Sequence, residues 1–196
     1  MEEVFELIKN GETEFQEKGS KFIGLARIIS SEAEAKSMIN EQRELHPKAN
    51  HVCYAYRIRE GNTLIENLSD DGEPTHSAGQ PILKQIRSAM LENCLVMVVR
   101  YFGGVKLGVG GLIKAYRQAA AMAIEKTEKK VIIPTLTISY EVPYEVWGDV
   151  LAILDKEQLS FEAEHSSKGA VVKIKIEEAK ADQTKSLFDA LNLKEN

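Results

Sequence analysis

Residues 94–100 (CLVMVVR) form an apolar run of strand length with no polar alternation. A strand of that kind is stable only where both of its faces are covered, so the chain must build a sheet with layers on either side. The adjoining segment narrows the choice further. Five glycines (Gly103, Gly104, Gly108, Gly110 and Gly111) fall within 103–111, and 112–126 then carries Leu112, Ala115, Tyr116, Ala119, Met122 and Ala123 at helical spacing. Strand, glycine-dense loop and helix in succession put backbone that can take φ > 0 beside a helix start, where free N–H groups favour anions.

The flanking sequence supplies the other layers. Residues 21–29 read as a strand, and Ser31-x-x-Glu34 as a capping box opening a helix that Pro47 stops. Residues 51–59 and 63–68 read as two strands joined at Gly61-Asn62, with a loop, SDDGEPTHSAGQ, after them. Pro81 suits the first turn of a helix with an apolar face at Ile82, Leu83, Ile86, Ala89 and Met90. Pro134 marks a domain boundary. Beyond it 135–141, 159–165 and 170–176 read as strands, and 143–157 and 179–191 as helices. The expectation is an α+β protein of two domains, 1–133 and 134–196. The second is most of a split βαβ module whose final strand is missing, since only Asn192 to Asn196 remain.

The 196 residues are 43% hydrophobic and 28% charged, which is globular composition rather than disorder. No apolar run approaches the roughly 20 residues that cross a bilayer. The acidic start, MEEVFELIKN, lacks a basic n-region. Cys53 and Cys94 lie inside apolar runs and read as buried, reduced thiols. The expectation is a cytoplasmic protein with no membrane partner. Net charge is −5, which argues against non-specific DNA coating, but its distribution is uneven. Residues 61–76 hold Glu66, Asp70, Asp71 and Glu73 and no base; residues 77–120 hold Lys84, Arg87, Arg100, Lys106, Lys114 and Arg117 against Glu92 alone.

A helix start ordinarily favours Asp or Glu. Here Lys106 precedes the helix, Lys114 and Arg117 lie in its first turns, and no carboxylate comes before Glu125. The helix from Pro81 repeats the pattern with Lys84 and Arg87. One reading is an anion site for phosphate, above all nucleic-acid backbone, with Gly108, Gly110 and Gly111 as backbone donors. The other is internal pairing, with Asp70, Asp71 and Glu73 neutralising the cations and the glycines allowing tight packing. The loop is neither a Walker A sequence nor a dinucleotide fingerprint, because Ile113 stands where the latter needs its third glycine. Asp70-Asp71-Gly72-Glu73 reads either as a turn with ion pairs or as oxygen ligands for a hard cation. His51 and Cys53 share a strand face at a spacing too wide for a nucleophile–base pair. Of the four histidines only His76, in the acidic loop, falls near this chemistry; it reads equally as solvated loop. Tyr54, Tyr56, Tyr101 and Phe102 could stack bases or fill a core.

Several blocks taken together resemble the signature of the IMPACT/YigZ family. They are Lys21-Phe22-Ile23, His51 to Tyr56 (HVCYAY), Asp70 to Pro74 (DDGEP), Ala78 to Leu83 (AGQPIL), Val99 to Leu112 (VRYFGGVKLGVGGL) and Ala115-Tyr116. One departure is Thr75-His76-Ser77, where the family often has Ser-Gly-Thr. The resemblance covers about residues 15–126, and the remainder looks like the family's small C-terminal domain. It implies an N-terminal domain with the fold of a ribosomal-protein domain and elongation factor G domain IV, and a ferredoxin-like C-terminal domain. It also implies a link to translation control and stress response: eukaryotic members restrain a stress kinase by binding its ribosome-associated activator. They use an additional N-terminal interaction domain that 196 residues are not expected to hold.

The function expected is non-catalytic binding of RNA or the ribosome in regulating translation, with no cofactor and no bound metal. Lys84, Arg87, Arg100, Lys106, Lys114 and Arg117 would form the cationic surface, unless Arg100 points inward. Asp70, Asp71 and Glu73 would orient those cations or repel wrong partners. Two alternatives remain: an enzyme acting on a phosphorylated small molecule through an Asp-bound metal, and a module that docks a translation-associated protein.

Overall fold

The run at 94–100 becomes the central strand of a five-stranded antiparallel sheet, and its alternation explains why it is apolar throughout. In the computed structural model, which describes residues 3–195, the chain forms two compact units, one ending at Ile132 and one beginning at Ile133. The first contains β1 (Val4–Lys9), β2 (Gly11–Glu17), β3 (Ser20–Ile28), α1 (Glu32–Leu45), β4 (His51–Glu60), β5 (Thr63–Ser69), α2 (Gly79–Ser88), β6 (Leu91–Glu92), β7 (Cys94–Tyr101), α3 (Gly108–Glu125) and β8 (Glu128–Ile132). The sheet order is β2-β3-β7-β4-β5. On β7, Cys94, Val96 and Val98 meet Ile82, Ile86, Leu112, Ala115, Tyr116 and Ala119 of α2 and α3. The alternate residues Leu95, Met97 and Val99 meet Ala35 and Ile39 of α1 on the other face. Successive side chains of a strand point to opposite faces, so a strand with helices on both sides has no polar position to spare. A second sheet, β6-β1-β8, pairs β1 in parallel with β6 and antiparallel with β8.

Local signals act close to where the sequence places them. Ser31 caps α1, its Oγ accepting from the Glu34 N–H at 3.2 Å. The reciprocal arm is displaced by one residue, because the Glu34 carboxylate accepts from the Ser30 N–H at 2.7 Å. Two expectations are corrected. Strands β1, β2, β6 and β8 were not read from the sequence, and α3 begins at Gly108 rather than 112, which puts Gly108, Gly110 and Gly111 in its first turn. Each glycine there costs about 1 kcal/mol of helix propensity, and the buried stripe from Leu112 to Ala123 outweighs it.

The second unit comprises β9 (Thr135–Pro143), α4 (Trp147–Lys156), β10 (Ser160–His165), β11 (Gly169–Glu177), α5 (Ala181–Asp189) and β12 (Lys194–Glu195). Its antiparallel sheet has the order β10-β11-β9-β12, packed on Val150, Leu154 and Phe188. The final strand expected to be missing is present as two residues, Lys194 and Glu195, paired with Glu141 and Tyr140. The whole is mixed α+β. Among the described residues no helix is long and apolar enough to cross a membrane.

Candidate functional site

Strand parity decides the fate of Arg100. It continues the 94, 96, 98 face of β7, so its side chain enters the layer beneath α3, where it is 7% exposed. The buried Glu73 carboxylate meets it there: Oε1 accepts from Arg100 Nη1 at 2.5 Å and from the Tyr116 hydroxyl at 2.7 Å. The guanidinium also lies over Phe22 and Phe102, 5.5 and 5.7 Å from their ring centroids. Arg100 is therefore removed from the predicted cationic surface. A charge this deep is tolerable only with its counter-ion in place. Burial pushes the Tyr116 hydroxyl far above its ordinary pKa, so it serves as a donor to Glu73 and not as an acid.

The two aspartates are equally occupied. Asp70 acts as the cap of α2 from outside the helix: Oδ1 accepts from the Ala78 and Gly79 N–H groups at 2.9 and 2.8 Å, and Oδ2 from the His76 N–H at 2.8 Å. The start of α2, predicted as an open anion site, thus already holds a carboxylate. Asp71 accepts from the Val52 N–H at 2.7 Å and from Arg43 at 2.8 Å. His51 donates from Nδ1 to the Asp71 carbonyl at 2.7 Å, which leaves Nε2 3.9 Å from Glu73. The buried Cys53 donates from Sγ to the Asp70 carbonyl at 3.0 Å, and burial raises its pKa well above that of a free thiol. Among the described residues no three of His, Cys, Asp and Glu gather as metal ligands.

Arg87 stays exposed, but its guanidinium is paired with Glu66 across α2 and β5, so it is not a free cation. That bond holds the Glu66 carboxyl below the usual carboxylate range, although partial burial opposes it. Of the three loop acids, only Glu73 meets one of the six predicted cations. Lys84, Lys106, Lys114 and Arg117 are exposed, and no acceptor or carboxylate among the described residues holds them. Arginine makes the contrast sharp. The chain has seven arginines, and Arg27, Arg43, Arg57, Arg59, Arg87 and Arg100 each pair with a carboxylate. Arg117 is the exception among the described residues.

The start of α3 stays open. Its cap position, Leu107, offers no side-chain acceptor, and its first turn holds no acid. Gly108, at φ +70°, has open space where a side chain would stand. The fourth N–H of an α-helix returns to the cap carbonyl, so Gly108 and Gly110 keep free donors while Gly111 does not. Gly103 has a different reason for being glycine. A Cβ there would stand 1.9 Å from the Gly19 carbonyl carbon, so the base of the loop lies directly on the β2–β3 turn.

Between α2 and α3 a cleft of about 470 Å³ is lined by His76, Gln80, Lys84, Gln85, Ile113 and Arg117, with no carboxylate among them. It gathers two predicted cations, and the sequence reading missed Gln80, Gln85 and Ile113. Helical spacing from Lys84 and Arg117 could have pointed to Gln80 and Ile113. His76 lines the cleft from a left-handed backbone, φ +63°.

Residues 18–124 match the Impact N-terminal domain family. A Thermus thermophilus protein described as an IMPACT family member in the pol 5′ region is 39% identical over 150 residues, covering 76% of this chain and 80% of that one. The Bacillus subtilis IMPACT family member YvyE is 40% identical over 117 residues, 60% of this chain and 54% of that one, so this match spans about half of the relative. A solved structure described as a hypothetical protein shares the fold, with TM-score 0.68 at 24% identity over 100% of this chain and 97% of that one.

Proposed function

The chain belongs to the Impact N-terminal domain family, and from that membership we propose that it is a non-catalytic RNA- or ribosome-binding protein that takes part in regulating translation. The observation that carries the reading is a set of exposed cations with no partner among the described residues, Lys84 on α2 and Lys106, Lys114 and Arg117 before and along α3, in a protein whose net charge is −5. Exposed cations without internal partners suit phosphate oxygens, and Lys106 precedes the helix start that keeps free N–H groups. The same reading takes 1–133 as a domain of the ribosomal-protein and elongation-factor-domain-IV fold, and 134–196 as ferredoxin-like. The division between Ile132 and Ile133 and the β-α-β-β-α-β order of the second unit support it. A stress-linked role in the cytoplasm, or with a translation-associated protein, belongs to the same proposal. The metal-enzyme alternative is weaker, because the carboxylates of Asp70 and Asp71 are engaged by backbone N–H groups and Arg43.

The test is co-sedimentation with ribosomes over a salt series. Four cations meeting four phosphates of single-stranded RNA or duplex give a log–log slope of about −2.8 to −3.6, hence roughly a 50- to 150-fold loss between 50 and 200 mM salt. Lys114→Glu with Arg117→Glu reverses two of the charges on exposed helix positions and should abolish sedimentation in a folded protein. If that double variant sediments like the parent, the reading is refuted.

A further inference from the structure

Within the reading just proposed, on which this inference rests, the α2–α3 cleft differs from the rest of the cationic surface. We infer that it is a subsite for a phosphomonoester dianion, and that the dianion is the 5′-terminal phosphate of an RNA strand. An open stripe of lysines serves phosphodiesters, which carry one charge each and whose chain must leave on both sides. The cleft is instead concave and lies within the roughly 300–1,000 Å³ typical of pockets that enclose a small ligand. It brings an ammonium, a guanidinium, an imidazole and two side-chain amides to one place without a carboxylate. A terminal phosphate has a second charge and three free oxygens to meet such donors.

Two further observations point the same way. Arg117 is the one arginine of seven with no carboxylate among the described residues, and it lines this cleft. Arginine recognises phosphate in two-pronged geometry, and here its prongs are unspent. His76 is held at φ +63°, a conformation glycine takes freely and a β-carbon resists, with its N–H tied to Asp70 at 2.8 Å. The Asp70 bond holds the backbone there, so the imidazole lines the cleft despite the conformation it requires. Lys114 lies one turn before Arg117 on α3, where the next phosphate of a strand ending in the cleft would be met.

The experiment compares one ten-nucleotide RNA with a 5′-phosphate or a 5′-hydroxyl, by fluorescence anisotropy on the full chain. The phosphate should tighten binding about tenfold, the effect of one charge-assisted contact. His76→Gly should erase that increment while binding the 5′-hydroxyl RNA at least half as well as the parent does, and Lys84→Gln, which weakens both RNAs through the lost phosphate contact, should bring the ratio of the two affinities to about one. His76→Gly keeps the left-handed backbone and the Asp70 bond, so an unchanged thermal melt shows that any loss is not unfolding. Equal affinity for the two RNAs, or an increment that survives Lys84→Gln, overturns the inference and leaves the RNA reading standing. If neither RNA binds, the RNA reading falls, and the cleft is judged by inorganic phosphate in ³¹P NMR. Saturable broadening that Lys84→Gln removes sustains the phosphate site, and no broadening overturns it. Adenosine 5′-monophosphate binding as tightly as the phosphorylated oligomer overturns the assignment to an RNA end.

Discussion

Truncating Glu73 to alanine should be among the most damaging changes in the first unit. Its carboxylate is 4% exposed and balances Arg100, which is 7% exposed and whose Nε has no partner among the described residues. Removing one member of a buried ion pair strands the other charge and costs about 3–5 kcal/mol. A unit of this size unfolds in urea with a slope of about 2 kcal/mol/M, so the midpoint should fall by roughly 1.5–2.5 M. Tyr116→Phe removes one hydrogen bond to a charged acceptor and should cost about 1.5–2 kcal/mol. Replacing both ions, Glu73→Leu with Arg100→Met, should recover most of the loss, because packed apolar groups need no counter-ion. The probe must be chosen with care. The single tryptophan, Trp147, lies in the unit that begins at Ile133, so its fluorescence reports that unit. Far-UV circular dichroism, or hydrogen exchange in peptides covering β7, reports the first. A shift below about 0.5 M for Glu73→Ala, or a double variant no better than Glu73→Leu alone, would refute the reasoning.

Asp70→Ala leaves three N–H groups without their acceptor and should cost about 2 kcal/mol, the upper range for lost caps, with the loss of protection localised by hydrogen exchange to the start of α2. Cys53 and Cys94 are buried, and burial pushes both thiols up, Cys94 to about 12. Neither should react with iodoacetamide at pH 8 until urea unfolds the first unit; two equivalents taken up by native protein would contradict this. Because folding raises these pKa values, their contribution to stability is whole below the unfolded thiol value of about 8.5 and fades as pH climbs towards the folded ones, so the urea midpoint should drop on the alkaline side. Glu66 has the opposite sign: Arg87 lowers its pKa, so its contribution holds above the unfolded carboxyl value and fades as pH falls through the lowered one. Arg87→Met should flatten that acid limb, and an unchanged acid profile would count against the pair.

The architecture around β7 was legible because one signal sufficed: a run with no polar position requires cover on both faces. The same parity, carried two residues beyond Val98, places Arg100 under α3, so its loss from the surface could have been read in advance. The pairing of Arg87 with Glu66 could not, since it depends on how a helix lies over a strand 21 positions away. Strands β1, β2 and β8 escaped because sequences such as GETEFQE and EKKVI expose most of their residues and carry little apolar period. The glycines of the first turn of α3 misled in the other direction, since tertiary packing overrides local propensity. At the cleft, Lys84 and Arg117 were legible as isolated cations. The left-handed backbone of His76 was not, because nothing in the residue type marks it; the His76 N–H is tied to Asp70 six positions back in the same loop.

The contact of Gly103 with Gly19 sets how the loop before α3 can vary. Two bare backbones touch there, and the Gly103 N–H also donates to the Ser20 hydroxyl at 3.2 Å. The anchored end therefore admits no side chain, while Gly104 and Gly108 stand in open space a few positions on, where only their left-handed backbones, φ +88° and +70°, oppose a side chain. Insertions, and substitutions at positions other than these glycines, should accumulate at the outer end of the segment and be purged at its base. Related chains could then alter the loop's reach without disturbing the sheet that carries it.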